Sequence, residues 1–331
     1  MDVGPPIMQM PGYYQAVPAI VAWAYEDQYA PAGETPRAGD TFVDEWGITR
    51  KFVMHYYEIA EHPLAEAETV EDIESYPWPD PAEQLDLTGL AERGRYLRDE
   101  TDFAVVGYTG GASIFEMGWY LRGYEKLLVD MMIDKEMAHA LFGKILEVRK
   151  KAAQMVLAET GEYLDVLQFG DDIATQEGPA FSPVLYREMV KPYQAELFGS
   201  VKEKYPVKIY YHSCGGVRDL VNDLIEIGVD ALNPVQVQAK GMDTAELKRR
   251  FGGRVAFWGA IDSQHALPFG TPEDVRREVR KRIGDLAPGG GYVLAGIHNL
   301  QPDISPQNIE AMYDEGLKSG TYPIKIPAPA G

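Results

Sequence analysis

Cysteine is nearly absent from this chain, and long apolar runs are absent altogether. Cys214 is the single cysteine among 331 residues, so an intrachain disulfide is excluded and a reducing compartment is expected. No apolar run approaches the roughly 20 residues that a membrane-spanning helix needs. No charged and apolar leader opens the sequence. We therefore expect a cytoplasmic protein that has no membrane partner.

Positive charge is scarce relative to negative charge. Lys and Arg number 31 against 51 Asp and Glu, which gives a formal net charge of −20. Nucleic acids and anionic membranes bind cationic surfaces, so this balance argues against both as partners. The remaining composition, 45% hydrophobic and 25% charged residues, is that of a globular protein of enzyme size.

Short apolar segments alternate with helical patterns along most of the chain. The apolar segments predict buried strands at residues 103–109, 164–169, 207–212, 230–233, 255–261 and 291–296. Hydroxyl residues followed by proline predict helix starts at Ser182, Thr271 and Ser305. A long helix is expected over 134–160. Strands that alternate with helices indicate an α/β protein with a parallel sheet, either open or closed into a barrel.

Polar residues at successive strand ends favour the barrel, specifically a (β/α)8 barrel of the TIM type. Such barrels carry their sites on the rim where the strands end. The residues at these ends are Asp171, Asp172, His212, Cys214, Asn233, Asp262 and His298. We expect a single domain, in which residues 1–95 form an irregular N-terminal part and residues 96–331 form the barrel body. The N-terminal part should contain a hairpin around Gly47 and a proline-rich connector.

The strongest chemical pattern is His212-Ser213-Cys214. Residues i and i+2 at a strand end face the same side, so the imidazole and the thiolate could bind one ion. This pair of ligands suits Zn²⁺, and His298 is the expected third ligand because it follows the last strand. A fourth position would then remain for substrate. The alternative is that Cys214 is a small buried apolar residue and both histidines are hydrogen-bonded rim residues.

The adjacent carboxylates Asp171 and Asp172 are the candidate catalytic residues. Mutual repulsion would raise the pKa of one of them and create a general acid. One of them could instead orient a metal-bound histidine, or cap a turn while the other is solvated.

Further polar residues near the strand ends are expected to contact substrate. For Asp262 and Gln264 the alternative is an ordinary polar loop. The predicted substrate-binding residues are Tyr108, Gln176, Tyr211, Asn233, Asp262, Gln264, Asn299 and Gln301.

Several ordered blocks of sequence resemble the uroporphyrinogen decarboxylase superfamily. They include GDDIATQEGPAFSPVLYREMVKPY, YYHSCGGVRDLVNDLIEIGVDALNPVQ, FGGRVAFWGAIDSQHALPFGTPEDVRREV and HNLQPDISPQNIEAM. The resemblance runs from about residue 41 to the C-terminus. It implies a (β/α)8 barrel whose site lies at the C-terminal rim. The superfamily includes tetrapyrrole decarboxylases and zinc-dependent methyltransferases, which act with corrinoid proteins on methanol, methylamines, thiols or aryl methyl ethers.

The resemblance is closer to the zinc-dependent methyltransferases than to the decarboxylases. His212 and Cys214 match the first two zinc ligands of that branch, and His298 stands where its late cysteine is found. The arginine-bearing MRQAGR motif, with which decarboxylases grip substrate carboxylates, is absent. Residues 1–90 contain only Arg37 and Arg50, although a tetrapyrrole with many carboxylates needs several arginines.

Three hypotheses follow from the sequence. The first is a zinc-dependent methyltransferase that works with a corrinoid protein in the demethylation of a small O- or S-methyl substrate. The second is a lyase of tetrapyrrole biosynthesis, of the uroporphyrinogen decarboxylase type. The third is a corrinoid- or tetrapyrrole-binding module that has lost its catalytic site. Aromatic residues near the N-terminus are compatible with a homodimer.

Overall fold

The computed structural model describes residues 37–53 and 56–325, which form two compact units. The C-terminal unit consists of residues 173–180 and 210–325. The N-terminal unit consists of residues 37–53, 56–172 and 181–209. Of the predicted irregular N-terminal part, residues 1–95, the stretch before residue 37 lies outside the described residues.

The N-terminal unit begins with a three-stranded antiparallel sheet of β1 (Thr41–Val43), β2 (Thr49–Val53) and β3 (Tyr56–Glu61). The β1–β2 pair is the hairpin expected around Gly47. Asp44 holds its turn, because one carboxylate oxygen accepts the backbone N–H groups of Trp46 and Ile48. Gly47 has a φ of 74°, a left-handed conformation that glycine adopts without strain.

Eight helices of the N-terminal unit follow the hairpin in the described residues. They are α1 (Val70–Glu74), α2 (Pro81–Gln84), α3 (Leu90–Glu100), α4 (Phe115–Arg122), α5 (Tyr124–Ile133), α6 (Lys135–Thr160), α7 (Pro183–Met189) and α8 (Lys191–Lys202). Asp134 caps the long predicted helix α6 by accepting the N–H of Met137. The helix that begins after Ser182 ends before Val190, and α8 restarts at Lys191 with Pro192 in its first turn.

Two parallel strands lie in the N-terminal unit, β4 (Val106–Ala112) and β5 (Val166–Gly170). Their register aligns Val106 with Val166 and Tyr108 with Gln168. The chain returns after α8, where the N–H of Lys208 donates to the carbonyl of Asp165 at 2.9 Å.

The C-terminal unit contains the remaining strands. The short antiparallel pair β6 (Ala174–Thr175) and β7 (Gly178–Pro179) comes first. Strand β8 (Lys208–His212), of which the last three residues belong to this unit, is followed by β9 (Ala231–Asn233), β10 (Ala256–Ile261) and β11 (Tyr292–Gly296). These strands are parallel neighbours in chain order. Consecutive placement of this kind is what a repeated β/α connection produces.

Helices connect these strands, and two of them begin at the predicted caps Thr271 and Ser305. They are α9 (Val221–Glu226) after a 3₁₀ turn at Arg218–Leu220, α10 (Thr244–Phe251), α11 (Ala266–Phe269), α12 (Pro272–Leu286) and α13 (Pro306–Ser319). Thr271 forms a capping box with Asp274, and Ser305 accepts the N–H of Asn308. Val279, Ile283 and Met312 lie in a fully buried cluster of this unit.

The predicted α/β class is confirmed by this alternation. All six predicted strands are present, as β4, β5 and β8–β11, with small shifts at their ends. Within residues 37–53 and 56–325, no helix combines the length and the apolarity needed to cross a membrane.

Candidate active site

The carboxyl end of β8 brings an imidazole and a thiol together in the C-terminal unit. Nε2 of His212 lies 3.5 Å from Sγ of Cys214. Both side chains are half-buried, so an ion or a small substrate has access to them. The extended backbone at the strand end places residues two apart on one side, as the sequence predicted.

Asn233 at the end of the neighbouring strand β9 holds the other face of the same imidazole. Its Oδ1 lies 2.5 Å from Nδ1 of His212, and its Nδ2 donates to the carbonyl of Trp258 at 3.1 Å. Trp258 on β10 is itself fixed against Tyr210, with ring centroids 5.0 Å apart in a T-shaped contact. The predicted substrate-binding residue Asn233 thus uses both its amide oxygen and its amide nitrogen in contacts within the protein.

This arrangement fits a metal ion such as Zn²⁺. Zinc binds a neutral imidazole through its lone pair and a cysteine as the thiolate. The hydrogen bond to Asn233 occupies Nδ1 of His212 and leaves Nε2 directed at the sulfur. A second hydrogen bond of this kind on a ligating histidine is the usual companion of zinc sites.

His298, the predicted third ligand, lies on the same unit but further from the pair. Its ring centroid is 6.5 Å from that of His212, and its side chain is exposed. Ligand atoms of His298, His212 and Cys214 are not all within 4.8 Å of one another. His298 would therefore have to move toward the pair to share an ion, and its role as a ligand stays a prediction.

The other predicted substrate-binding residues of the C-terminal unit have diverse settings. Asp262 is buried and accepts Nε2 of Gln238 as well as the backbone N–H groups of Gln264 and His265. Asp262 thus holds the turn that leads into α11. Tyr211 is fully buried, the side chains of Gln264 and Gln176 are exposed, and Asn299 and Gln301 lie half-buried in the loop after β11.

Asp171, one of the two predicted catalytic carboxylates, is fully buried in the N-terminal unit. It has no exposed surface and accepts at least four hydrogen bonds, which measure 2.6–3.1 Å. Three come from the backbone N–H groups of Ile114, Phe115 and Glu116 at the start of α4, and the fourth comes from Nε2 of Gln194. Burial raises the pKa of Asp171 to about 6, although these donors favour the carboxylate. The geometry indicates that Asp171 fixes the start of α4.

Glu116, which the sequence analysis missed, lies in the first turn of α4. Its Oε1 accepts the hydroxyl of Tyr120 at 2.6 Å, and its Oε2 accepts the N–H of Asp172 at 3.4 Å. Burial, together with the charge of Asp172, raises the pKa of Glu116 to about 8. The Glu116 side chain is half-buried, so a protonated carboxyl group is accessible near neutral pH.

The cation of Arg50 packs against the ring of Tyr120, the residue that donates to Glu116. The guanidinium of Arg50 lies 5.2 Å from the ring centroid of Tyr120. Arg50 is also bound to Asp44 at 2.7 Å in a buried ion pair. The hairpin of β1 and β2 therefore supports the tyrosine that donates to Glu116. Tyr108, the predicted substrate-binding residue of this unit, is buried.

A sequence feature that marks Glu116 exists, but it is weak. The segment FEMGWYLR is apolar around one acid and has tyrosine four residues later, which is the spacing of contact on a helix. The partner carboxylates lie more than fifty residues further along the chain. Only the fold brings them to Glu116.

A comparison with known protein families shows to which family the chain belongs. Residues 51–316 match the family described as uroporphyrinogen decarboxylase. The chain belongs to the uroporphyrinogen decarboxylase family. This confirms the resemblance on which the sequence analysis relied. It also confirms the expected fold, since the α/β architecture of the TIM-barrel type is that of the family.

Individual relatives carry two different names. The chain is 28% identical over 255 residues to "Uroporphyrinogen decarboxylase" of Chlorobium limicola, which covers 73% of this chain and 68% of that protein. It is 24% identical over 285 residues to the protein of the same name from Alkalilimnicola ehrlichii, covering 83% and 72%. Among solved structures, a methyltransferase from Methanosarcina mazei matches with a TM-score of 0.65 and 18% identity. That match covers 97% of this chain and 92% of the methyltransferase, and it shows a shared fold.

Proposed function

We propose that the chain is a zinc-dependent methyltransferase that removes a methyl group from the oxygen or sulfur of a small substrate, with a corrinoid protein as methyl acceptor. The observation that carries this proposal is the imidazole of His212 beside the thiol of Cys214, with Nδ1 already bound to Asn233. The fold shared with a methyltransferase over nearly the whole chain supports it.

His212 and Cys214 would hold Zn²⁺, and His298 is the proposed third ligand from the loop after β11. Zinc, when bound, acts as a Lewis acid that lowers the energy of a departing oxygen or sulfur anion. The imidazole contributes a neutral ligand and the thiol loses its proton on binding the ion, so metal affinity should fall at acidic pH.

Glu116 and Asp172 are the proposed source of the proton. A carboxyl group with a raised pKa is protonated near neutral pH and can give its proton to an anion. Tyr120 and the N–H of Asp172 orient the Glu116 carboxyl group at both oxygens. Asp171, which is fully buried, positions α4 and hence Glu116 instead of meeting substrate.

The proposed transfer breaks one bond of the methyl carbon and forms another. The bond between the methyl carbon and oxygen or sulfur breaks, and both electrons stay with the leaving atom. The corrinoid of the partner protein would be the methyl acceptor; its cobalt(I) would supply the electron pair for the new bond to carbon and would be oxidised to cobalt(III). The leaving anion takes the proton from the Glu116–Asp172 pair, so the products are the demethylated substrate and the methylated corrinoid.

Metal analysis tests the proposal directly. Protein prepared without chelators should contain about one zinc ion per chain, which is the usual stoichiometry of a catalytic site. Cys214→Ala and His212→Gln should lose most of it. His265→Ala is the matched control, because His265 is an exposed histidine of the same unit that lies beside Asp262. Less than about a tenth of an equivalent in the native protein, with no increase after zinc is added, would contradict the zinc site.

Two further variants identify the third ligand. His298→Ala should weaken zinc binding if the exposed imidazole closes on the ion. Asp172→Asn is its companion, because the sequence also made Asp172 a candidate partner of a zinc-bound histidine. Loss of zinc in Asp172→Asn but not in His298→Ala would transfer the ligand role to the carboxylate.

Decarboxylation of a tetrapyrrole is the alternative, and the names of the relatives support it. The arginines of the described N-terminal part argue against it. Arg50 is buried in an ion pair with Asp44, so its guanidinium is already engaged and is not exposed for bidentate binding of a substrate carboxylate. Conversion of uroporphyrinogen to coproporphyrinogen by the purified chain, unaffected by Cys214→Ala, would favour the decarboxylase.

A further inference from the structure

The side chain of Asn233 is fixed at both ends in the C-terminal unit. It is only 5% exposed. Its Nδ2 donates to the carbonyl of Trp258 and its Oδ1 contacts Nδ1 of His212. Its backbone carbonyl accepts the N–H of Ser213, the residue between the two proposed ligands. Asn233 therefore ties the ends of β8, β9 and β10 together around His212.

The carbonyl of Trp258 decides which way the Asn233 amide faces. A carbonyl oxygen only accepts hydrogen bonds, so the amide NH₂ must point at it. The reverse orientation would set two oxygens against each other and leave no donor between them. The amide oxygen of Asn233 consequently faces His212.

The orientation of the amide in turn decides where the imidazole carries its proton. An amide oxygen accepts and cannot donate, so Nδ1 of His212 must bear the hydrogen. In the neutral ring Nε2 then holds the lone pair, and Nε2 is the atom 3.5 Å from the sulfur of Cys214. A relay of two hydrogen bonds thus runs from a backbone carbonyl to the nitrogen that would bind a metal ion.

We infer that Asn233 is a positioning residue, which holds His212 in the Nδ1–H tautomer so that Nε2 is ready to bind Zn²⁺ before the ion arrives. This replaces the substrate-binding role that the sequence assigned to Asn233. The ion depends on the proposed function, whereas the tautomer depends only on the hydrogen bonds of the metal-free chain. The two claims can therefore fail separately.

The tautomer can be measured in the metal-free protein. Nitrogen-15 NMR of histidine-labelled chain, at a pH where the imidazole is neutral, distinguishes a protonated ring nitrogen from one with a lone pair. The signals missing from the spectrum of His212→Gln belong to His212. We expect Nδ1 to be protonated and Nε2 to carry the lone pair. A mixture of both tautomers, or the Nε2–H form, would overturn the inference without any variant of Asn233.

Variants of Asn233 distinguish a role in positioning His212 from a role in stabilising the fold alone. Asn233→Leu removes the acceptor, so the tautomer should become mixed and zinc affinity should fall about 10–100-fold, as for other hydrogen-bond partners of metal ligands. Asn233→Asp retains an acceptor for Nδ1–H and should keep the tautomer, with a smaller loss of affinity. Zinc affinity is measured by competition with a chelating dye.

Asn308→Leu is the control for the loss of a buried amide. Asn308 is equally buried in the same unit, and its Nδ2 donates to the carbonyls of Leu267 and Gly270. It should lose stability but keep both the tautomer and the zinc affinity. An unchanged tautomer in Asn233→Leu, or an equal loss of zinc in Asn308→Leu, would refute the positioning role. The expected tautomer in a protein that binds no zinc would support the role and contradict the proposed function.

Discussion

The two units place polar groups at strand ends in different ways. In the C-terminal unit, His212 and Cys214 are two residues apart in the sequence, and Nε2 of His212 lies 3.5 Å from Sγ of Cys214. In the N-terminal unit, Glu116 meets Asp171 and Asp172 across more than fifty residues of sequence. The first arrangement leaves a half-buried pair suited to an ion, and the second buries a carboxylate to orient another. Short-range geometry places His212 beside Cys214, whereas long-range packing raises the pKa of Glu116.

The largest loss of folding stability is expected from a substitution of Asp171. Asp171→Ala removes one buried carboxylate. Three N–H donors at the start of α4 and the amide of Gln194 then lose their hydrogen-bond acceptor. We expect a loss of about 3–5 kcal/mol in the free energy of unfolding, since each hydrogen bond to a charged group contributes strongly and the orphaned donors stay buried. Denaturation in urea measures it. A loss below about 1 kcal/mol would show that α4 does not depend on this carboxylate.

A smaller loss is expected for Asp262 in the C-terminal unit. Asp262→Ala removes the acceptor of Gln238 and of two backbone N–H groups in the turn before α11. Because these groups lie in partly exposed positions where water can replace the carboxylate, we expect about 1–2 kcal/mol. The same urea experiment ranks the two aspartates. If Asp262→Ala proved the more destabilising, the contrast between a carboxylate with buried donors and one with exposed donors would be wrong.

The smallest effect, taken per unit of pH, is a pH dependence of stability that belongs to Glu116. Its pKa is raised to about 8, so between its usual value of 4.5 and pH 8 the folded chain keeps a proton that the unfolded chain has lost. Stability should therefore fall as pH rises through this window and level off above it. Glu116→Gln carries no such proton and should flatten the slope by at most about 1.4 kcal/mol per pH unit.

The range between about pH 6 and pH 8 isolates Glu116, because the raised pKa of Asp171 acts below it. Glu125→Gln, on the exposed side of the neighbouring helix α5, is the control for the loss of one negative charge. An equal change of slope in both variants would mean that overall charge, and not the buried position of Glu116, sets the pH dependence.

Much of the fold was predictable from local pattern. Apolar segments of strand length and hydroxyl-proline pairs were sufficient to predict β8–β11 and the starts of α7, α12 and α13. The bounds of β4 shifted furthest, because Phe103 begins the apolar run but remains exposed before the strand. An apolar run does not by itself show where ladder hydrogen bonds begin.

The candidate site was predictable only where its members are neighbours in sequence. The role of the Asp171–Asp172 pair as catalytic carboxylates stays a prediction, and the sequence could not show that Asp171 is fully buried while Asp172 is not. Asn233 was expected to face substrate, and the structure instead directs its amide to His212 and Trp258. Glu116 had no visible partner in the sequence, since its partners follow a different strand.

The sequence by itself determined the membership of the family, the alternation of strands and helices, and the pairing of His212 with Cys214. The last follows because alternate residues of an extended strand face one way whatever surrounds them. Tertiary structure alone decided the protonation of His212 in one unit and of Glu116 in the other. The tautomer of His212 depends on a carbonyl from β10, and the raised pKa of Glu116 depends on burial beside Asp172. Both are properties of surroundings that distant segments supply, and no single segment encodes them.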